Sequence, residues 1–153
     1  MKKLPKNILA ENRAARFHFE ILDEFEAGLV LTGIETKSLR TNRARLAGSF
    51  VKIRNSELFL TGLEIPIYQF AKNMPHQKSR DRKILLNSRE IKKIEKNLNE
   101  KGTTVVVLNL HLAHGKIKAK IALARGKKKW NKRETIKKRD VARDVARESK
   151  VRK

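Results

Sequence analysis

The strongest constraint on the fold is the stretch TTVVVLNLHLAHGKIKAKIALARG, which runs from Thr103 to Gly126. On both sides of His114-Gly115 the residues alternate in two sets, a period of two that is typical of β-strands. The dipeptide at the centre suits a tight turn between antiparallel strands. We therefore predict a β-hairpin with apolar groups along one face and lysines along the other. The predicted lysine row is Lys116, Lys118 and Lys120.

Shorter alternating stretches predict further strands before this hairpin. FHFEIL and EFEAGLVLTG come first, and Gly28 within the second predicts a bulge or a bend. SFVKIRN and ELFLTGLEI follow, separated by Asn55-Ser56, which suits a hairpin turn. The chain should therefore hold about six short strands.

Two segments have helical character. IETKSLRTN predicts a short helix, and LLNSREIKKIEKNLNEKG predicts a longer one with Asn87 or Ser88 as its N-cap and Gly102 after its end. Short strands without the spacing of parallel βαβ units favour a small barrel over a doubly wound sheet. We predict a mainly β fold: a closed antiparallel Greek-key barrel of the oligonucleotide-binding type, with about three short flanking helices.

Three regions are expected along the chain. Residues 1–15 are polar and basic and should form a loosely held arm, residues 16–125 should form the barrel, and residues 126–153 should form a basic tail. The segment YQFAKNMPHQKSRDRK within the barrel has no apolar period and is predicted to be a long exposed loop. Its basic residues would then be placed to contact phosphates; they are Lys72, Lys78, Arg80, Arg82 and Lys83.

The charge of the chain favours a polyanionic partner. It has 38 Lys and Arg against 16 Asp and Glu, a formal net charge of +22, and each phosphate that a cation neutralises releases counterions. No stretch approaches the roughly 18 to 20 apolar residues of a membrane span, so nucleic acid is favoured over a membrane. The absence of Cys excludes disulfides and thiolate metal sites and fits a cytoplasmic protein.

The tail concentrates this charge. From Arg125 onward, 14 Lys and Arg face 4 Asp and Glu, which is +10 of the total +22. Its few apolar groups cannot offset the entropy of ordering, so we expect it to be disordered alone. Val141 and Val145 lie one helical turn apart, as do Arg139 and Arg143, which indicates a latent helix that folds against an anionic partner. A purely solubilising basic tail is the alternative.

Trp130 is the only Trp of the chain and lies in GKKKWNKRETIKKRD, the first part of the tail. A flat aromatic among cations is typical of side chains that stack on unpaired nucleobases. The alternative is that Trp130 folds back onto the barrel, because Gly126 could turn the chain. The residues alone leave both open.

No set of side chains predicts catalysis. The four His show no metal-ligand spacing, and the chain has neither a Gly-rich phosphate loop nor a Cys nucleophile. Asp23, Glu24 and Glu26 could hold a metal ion in a nuclease, but a solvated acidic patch near a turn is favoured. Glu26 could also accept hydrogen bonds from the exocyclic amine of a base. We predict no enzyme activity, no metal and no cofactor.

Three motifs, EFEAGLVLTGIETKSLR, RKILLN before a helix, and GKKKWNKRETIKKRD, resemble in order and separation those of the SsrA-binding protein (small protein B) family, from about Asn12 to Asp140. The resemblance implies an oligonucleotide-binding-type barrel of six antiparallel strands with three small helices. It also implies binding to the tRNA-like domain of transfer-messenger RNA, which the family delivers, with elongation factor Tu, to ribosomes stalled on broken messages. The expected partners are therefore transfer-messenger RNA and the ribosome, with elongation factor Tu as an indirect one, for a monomer that binds no membrane.

The resemblance also implies site residues. Contacts with RNA on the barrel and its edge are expected from Glu26, Leu85, Asn87, Arg125, Lys127 and Lys128, and we add Lys116 and Lys118 of the lysine row. In the family the tail enters the vacant message channel, becomes helical and occupies the decoding site in place of a codon–anticodon helix. The corresponding residues here are Trp130, Asn131, Lys132, Arg133, Ile136, Lys137 and Arg139. The family usually has Asp-Lys-Arg after the aromatic, so Asn131 removes a carboxylate at this position.

Two other functions are compatible with the residues. A structural ribosomal protein could thread its basic extension through ribosomal RNA, and it would co-sediment stoichiometrically with subunits in the absence of transfer-messenger RNA. A metal-dependent nuclease could use Asp23, Glu24 and Glu26, and it would cleave RNA only with a divalent cation.

Overall fold

The computed structural model describes residues 7–41, 44–71 and 76–127. These residues form one antiparallel sheet of seven strands with three helices, which confirms the predicted mainly β fold. In chain order the elements are β1 (Ile8–Glu11), α1 (Ala15–His18), β2 (Phe19–Leu29), α2 (Gly33–Thr41), β3 (Phe50–Arg54), β4 (Glu57–Thr61), β5 (Arg82–Leu85), α3 (Ser88–Leu98), β6 (Thr103–Ala113) and β7 (Lys116–Gly126).

Six of the strands close into a barrel. Their order is β6-β3-β4-β5-β2-β7, and β7 pairs back onto β6. β6 and β7 are the predicted long hairpin, and its turn residues His114 and Gly115 have φ of 48° and 74°. The turn between β3 and β4 has the same character, with φ of 50° at Asn55 and 57° at Ser56. Positive φ at both central residues gives the turn a twist that matches that of the strands.

The strand β6 is buried on both faces, with the barrel core on one side and α1 on the other, and its register shifts between Val107 and Asn109. Val105, Val107 and Leu110 belong to the main core inside the barrel. Val106 and Leu108 pack on the outside, in a second cluster with residues of α1 and β7. The simple alternation predicted from the sequence therefore breaks within β6, as expected at a β-bulge.

The helix α3 covers the barrel with the apolar stripe that the sequence predicted. Ile94 is fully buried in the main core, and Ile91 and Leu98 pack against it partly buried. Asn87 is the N-cap, and the Glu90 carboxylate accepts a hydrogen bond of 3.1 Å from the Asn87 backbone N–H, as in a capping box. Within the described residues, no helix is long and apolar enough to cross a membrane.

Several local predictions differ from the structure. The two strands predicted over FHFEIL and EFEAGLVLTG form the single strand β2, and Phe17 and His18 lie in α1. Residues Ile8–Glu11, which we placed in a loose arm, form β1 and pair with β6. Of the bulge or bend predicted at Gly28, the bulge is wrong, because the irregularity of β2 lies between Ile21 and Asp23. Gly28 instead pairs with both neighbouring strands, and a Cβ added there would approach the Leu85 Cβ to 3.3 Å. A close approach of neighbouring groups is the other common reason for a glycine within a strand.

The prediction that differs most from the structure concerns the basic loop between β4 and β5. Arg82 is completely buried, and its guanidinium pairs with the buried carboxylate of Glu35 at 2.9 Å. Arg80 binds the same carboxylate through two nitrogens, at 2.9 and 2.6 Å. Arg82 also donates to the carbonyl oxygens of Leu63 and Lys78 at 2.5 and 3.1 Å. These two arginines therefore hold the end of the loop and the start of β5 to α2, and because Arg82 is buried it is not placed to contact a phosphate.

Candidate nucleic-acid interface

The lysine row predicted on β7 lies on the outer surface of the barrel beside the acidic end of β2. Glu26 is opposite Lys120 and Gly28 is opposite Lys118 in the register of the two strands. The Lys118 ammonium group lies 2.7 Å from Glu26 Oε2, and the Lys120 ammonium group lies 2.6 Å from Glu24 Oε2. This face is therefore a lattice of ion pairs, in which carboxylates of β2 alternate with lysines of β7. Lys116 is exposed next to the hairpin turn.

Glu26 is the centre of this lattice. Its second oxygen, Oε1, lies 2.8 Å from His111 Nε2, and His111 Nδ1 lies 3.0 Å from Asn109 Oδ1. Hydrogen bonds from Lys118 and His111 lower the pKa of Glu26 to about 2. The carboxylate is thus ionised at neutral pH, and both of its oxygens already have partners. An open groove of about 480 Å³ surrounds it, and its lining is completed by Asn7, Ile8, Glu24, Phe25 and Lys120.

The other two acids of β2 have separate partners. A hydrogen bond from Lys93 lowers the pKa of Asp23, with that ammonium group 2.6 Å from Asp23 Oδ2. A hydrogen bond from Lys120 lowers the pKa of Glu24, which Arg16 also binds at 2.7 Å. These three carboxylates of β2 therefore belong to separate ion pairs. Among the described residues, no group of three His, Asp or Glu side chains could hold a metal ion.

Leu85 and Asn87 lie where β5 leads into α3. The Leu85 side chain is 51% exposed although it is apolar, and it lies against Gly28 of the next strand. Val30, at the end of β2, is exposed to a similar degree, and its backbone N–H bonds to the carbonyl of Lys83 at 3.0 Å. Asn87 is exposed at the N-terminus of α3. β2 and β5 thus present exposed apolar side chains on neighbouring strands, which can contact a base or a sugar.

The last described residues leave the barrel beside α1. Gly126 pairs with Phe19, and the Lys127 backbone N–H continues the pairing with a 3.0 Å hydrogen bond to the His18 carbonyl. The Lys127 ammonium group donates to the Arg16 carbonyl at 3.1 Å. Arg125 forms a long, half-exposed ion pair of 3.3 Å with Glu100. Lys127 therefore fixes the point from which the tail departs, a contact that the sequence did not predict.

The remaining predicted residues lie outside the part of the chain that the structure describes. They are Lys72 of the basic loop, Lys128 at the barrel edge, and Trp130, Asn131, Lys132, Arg133, Ile136, Lys137 and Arg139 of the tail. Sequence reasoning missed His111 and Asn109 as members of the face. The only available signal was their place two residues apart on β6, and the register shift that turns both of them outward is not visible in the sequence.

The fold and this face define a barrel of the oligonucleotide-binding type with a charged outer surface. The family model described as "SmpB protein" matches residues 9–151. The chain is 44% identical over 151 residues to the SsrA-binding protein of Staphylococcus saprophyticus, covering 99% of this chain and 98% of the relative. It is 42% identical over 146 residues to the SsrA-binding protein of Levilactobacillus brevis, covering 95% and 93%.

A solved chain from the work "tmRNA-SmpB: a journey to the center of the bacterial ribosome" has the same fold. It matches with a TM-score of 0.66 and 38% sequence identity, over 78% of this chain and 84% of the solved one. Together with the family match over nearly the whole length, this settles the relationship. The chain belongs to the SmpB family of SsrA-binding proteins.

Proposed function

We propose that this chain binds the tRNA-like domain of transfer-messenger RNA and delivers it to stalled ribosomes for trans-translation, the tagging of incomplete proteins. The observation that carries the proposal is the SmpB family match over residues 9–151, together with relatives named SsrA-binding protein that are matched over almost their full length. The net charge of +22 supports a polyanionic partner. The proposed role is that of a binding protein without catalysis or cofactor. Because its proposed site of action is the ribosome, we expect the protein in the cytoplasm.

The barrel is the part that holds the tRNA-like domain. Glu26, Lys118 and Lys116 offer charged and polar groups on β2 and β7, and Leu85 and Asn87 extend the surface toward α3. Arg125 contributes a half-exposed guanidinium at the edge. Lysine and arginine bind phosphates and set orientation, whereas the carboxylate and the apolar groups can discriminate among bases. The chain acts as a monomer, and elongation factor Tu is reached through the RNA.

The tail is the part that binds the message channel and the decoding site of the ribosome. Its 26 residues after Lys127 include 12 Lys and Arg, a density suited to the phosphates of the empty message channel. The residues proposed for the decoding site are Trp130, Asn131, Lys132, Arg133, Ile136, Lys137 and Arg139. Because Lys127 is bound to α1, the tail starts from a fixed point on the barrel.

The test is to purify this chain from its native cytoplasm through an affinity tag, to wash it at high salt, and to sequence the RNA that co-purifies with it. Enrichment of transfer-messenger RNA over total RNA supports the proposal. Recovery of ribosomal RNA alone, with stoichiometric co-sedimentation on one subunit, would instead identify a structural ribosomal protein. A protein carrying Glu26→Gln and Lys118→Ala serves as the control, because it keeps the tail but loses the proposed barrel contact.

Trp130→Ala is expected to lower the rate of tagging on stalled ribosomes by about tenfold or more, because stacking on one base contributes roughly 1 to 3 kcal/mol. The measurement is peptide tagging in a reconstituted translation system with a message that lacks a stop codon. Trp130→Phe should keep part of the activity, since it retains a flat ring. Asn131→Asp is the matched neighbour and should leave tagging unchanged. Full tagging by the Trp130→Ala protein would remove the stacking role.

A further inference from the structure

The side chain of His111 is held between two oxygen atoms on the proposed RNA-binding face. Nε2 lies 2.8 Å from Glu26 Oε1, and Nδ1 lies 3.0 Å from Asn109 Oδ1. A neutral imidazole carries one N–H, whereas a protonated one carries two. The protonated ring can therefore donate to both oxygens at once. No other histidine in the described residues is bound by a carboxylate.

The charge of this cluster depends on that imidazole. Lys118 and Glu26 neutralise each other, so the trio with a neutral His111 has no net charge, and protonation of the ring gives it +1. Among the described residues, the charged neighbours on the strands packed here are Glu24 and Glu26 on β2, Lys118 and Lys120 on β7, and Glu11 on β1, which pairs with Arg13. Hydrogen bonds from Lys118 and Lys120 hold the pKa of Glu26 and of Glu24 below their ordinary values. Glu24 and Glu26 are therefore ionised throughout the range from about pH 6 to pH 8.

We propose that His111 adds a positive charge to this face in the RNA complex, because its imidazole takes up a proton when RNA binds. The inference deepens the proposed function and rests on it for the identity of the RNA. An approaching phosphate backbone favours the cationic ring, and the cationic ring adds one positive charge at the groove. By linkage, the affinity for RNA then rises as the pH falls. Glu26 is a positioning residue in this arrangement, since it fixes both the imidazole and the Lys118 ammonium group.

The experiment measures the binding of the full-length chain to a labelled tRNA-like domain at constant ionic strength, from about pH 6 to pH 8. Wild-type affinity should rise about three- to tenfold toward the acidic end, as expected for the uptake of up to one proton. Calorimetry in buffers of different ionisation enthalpy measures that uptake directly. An unrelated RNA hairpin is titrated in parallel, because proton uptake responds to phosphate charge even if the tRNA-like domain is not the partner.

Three variants separate titration from structure. His111→Gln keeps a donor for Glu26 but cannot titrate, so its affinity should be independent of pH and close to that of the wild type at high pH. His111→Phe loses the donor as well and should bind more weakly at every pH. His114→Gln, at the tip of the same hairpin, should keep the wild-type pH profile. Thermal unfolding of each variant establishes that the barrel is intact.

The outcomes are distinct. If His111→Gln retains the wild-type pH dependence and proton uptake, the proposal for His111 is overturned. If the wild-type chain shows no uptake with either RNA, it is overturned as well. If the chain binds the hairpin and the tRNA-like domain equally well, the proposed partner is wrong while the linkage to His111 is still measured on the hairpin.

Discussion

Ending the chain after Lys127 is expected to abolish tagging of stalled translation products while it leaves the affinity for the tRNA-like domain within about tenfold at moderate salt. The truncation removes 12 Lys and Arg together with 4 Asp and Glu, a net charge of +8. That charge contributes to RNA affinity through counterion release, which acts on any RNA. The face around Glu26 and Leu85 remains complete, because every residue of the barrel up to Lys127 is retained.

The position of the cut matters. Lys127 donates through its backbone to His18 and through its side chain to Arg16, so a cut before it would disturb α1 as well as remove the tail. Binding is measured by filter retention at two salt concentrations, and tagging is measured in a reconstituted translation system.

A control chain carries residues 128–153 in scrambled order, which preserves composition and charge. We expect it to bind RNA like the wild type and to fail in tagging. Tagging by the truncated chain would show that the tail has no role on the ribosome. Tagging by the scrambled chain would reduce that role to charge alone.

The barrel could be predicted from the sequence because its strands carry their own pattern. The hairpin of β6 and β7 has a turn dipeptide and eleven residues in each strand, and the helix α3 has both a cap and an apolar stripe. These signals are local, and they agree with one another, which is what makes a structure predictable from its sequence. The lysine row was placed correctly for the same reason.

What could not be predicted depends on contacts between distant residues. The strand β1 has only four residues, and it exists because β6 offers an edge for it to pair with. The outward position of Asn109 and His111 follows from a register shift in β6, and no residue type in the sequence predicts that shift. Leu85 was assigned by resemblance, and its exposure and its contact with Gly28 appear only once β5 and β2 are paired.

Arg82 shows the limit of reading charge from a sequence. As one of five basic residues between Lys72 and Lys83 it looks like the others in the sequence, yet its side chain is 0% exposed and pairs with a carboxylate 47 positions earlier. Burial would raise the pKa of Glu35, but hydrogen bonds from Arg80 and the Thr32 backbone, with the charge of Arg82, outweigh it and hold that pKa below its ordinary value of 4.5. The pair is therefore a structural anchor, and its loss should be costly.

Arg82→Met is expected to lower the free energy of unfolding by about 3 to 5 kcal/mol, because it leaves the buried Glu35 carboxylate without its buried partner. The measurement is urea unfolding followed by circular dichroism at neutral pH. Arg80→Met is the matched control: its side chain is 29% exposed, so solvent screens the pair and the loss should be smaller. The double variant Glu35→Leu/Arg82→Met should recover much of the stability, because it removes both charges together.

The pH dependence gives an independent check on the same pair. A carboxylate whose folded pKa is lowered stabilises the fold above its unfolded value, and that contribution is lost as the pH falls through the folded pKa. Wild-type stability should therefore fall below about pH 4.5, and Glu35→Gln should flatten that part of the curve while being less stable at neutral pH. A loss of under about 1 kcal/mol in Arg82→Met, or an unchanged acid limb in Glu35→Gln, would mean that the connection between β4 and β5 is held by its backbone contacts and not by this ion pair.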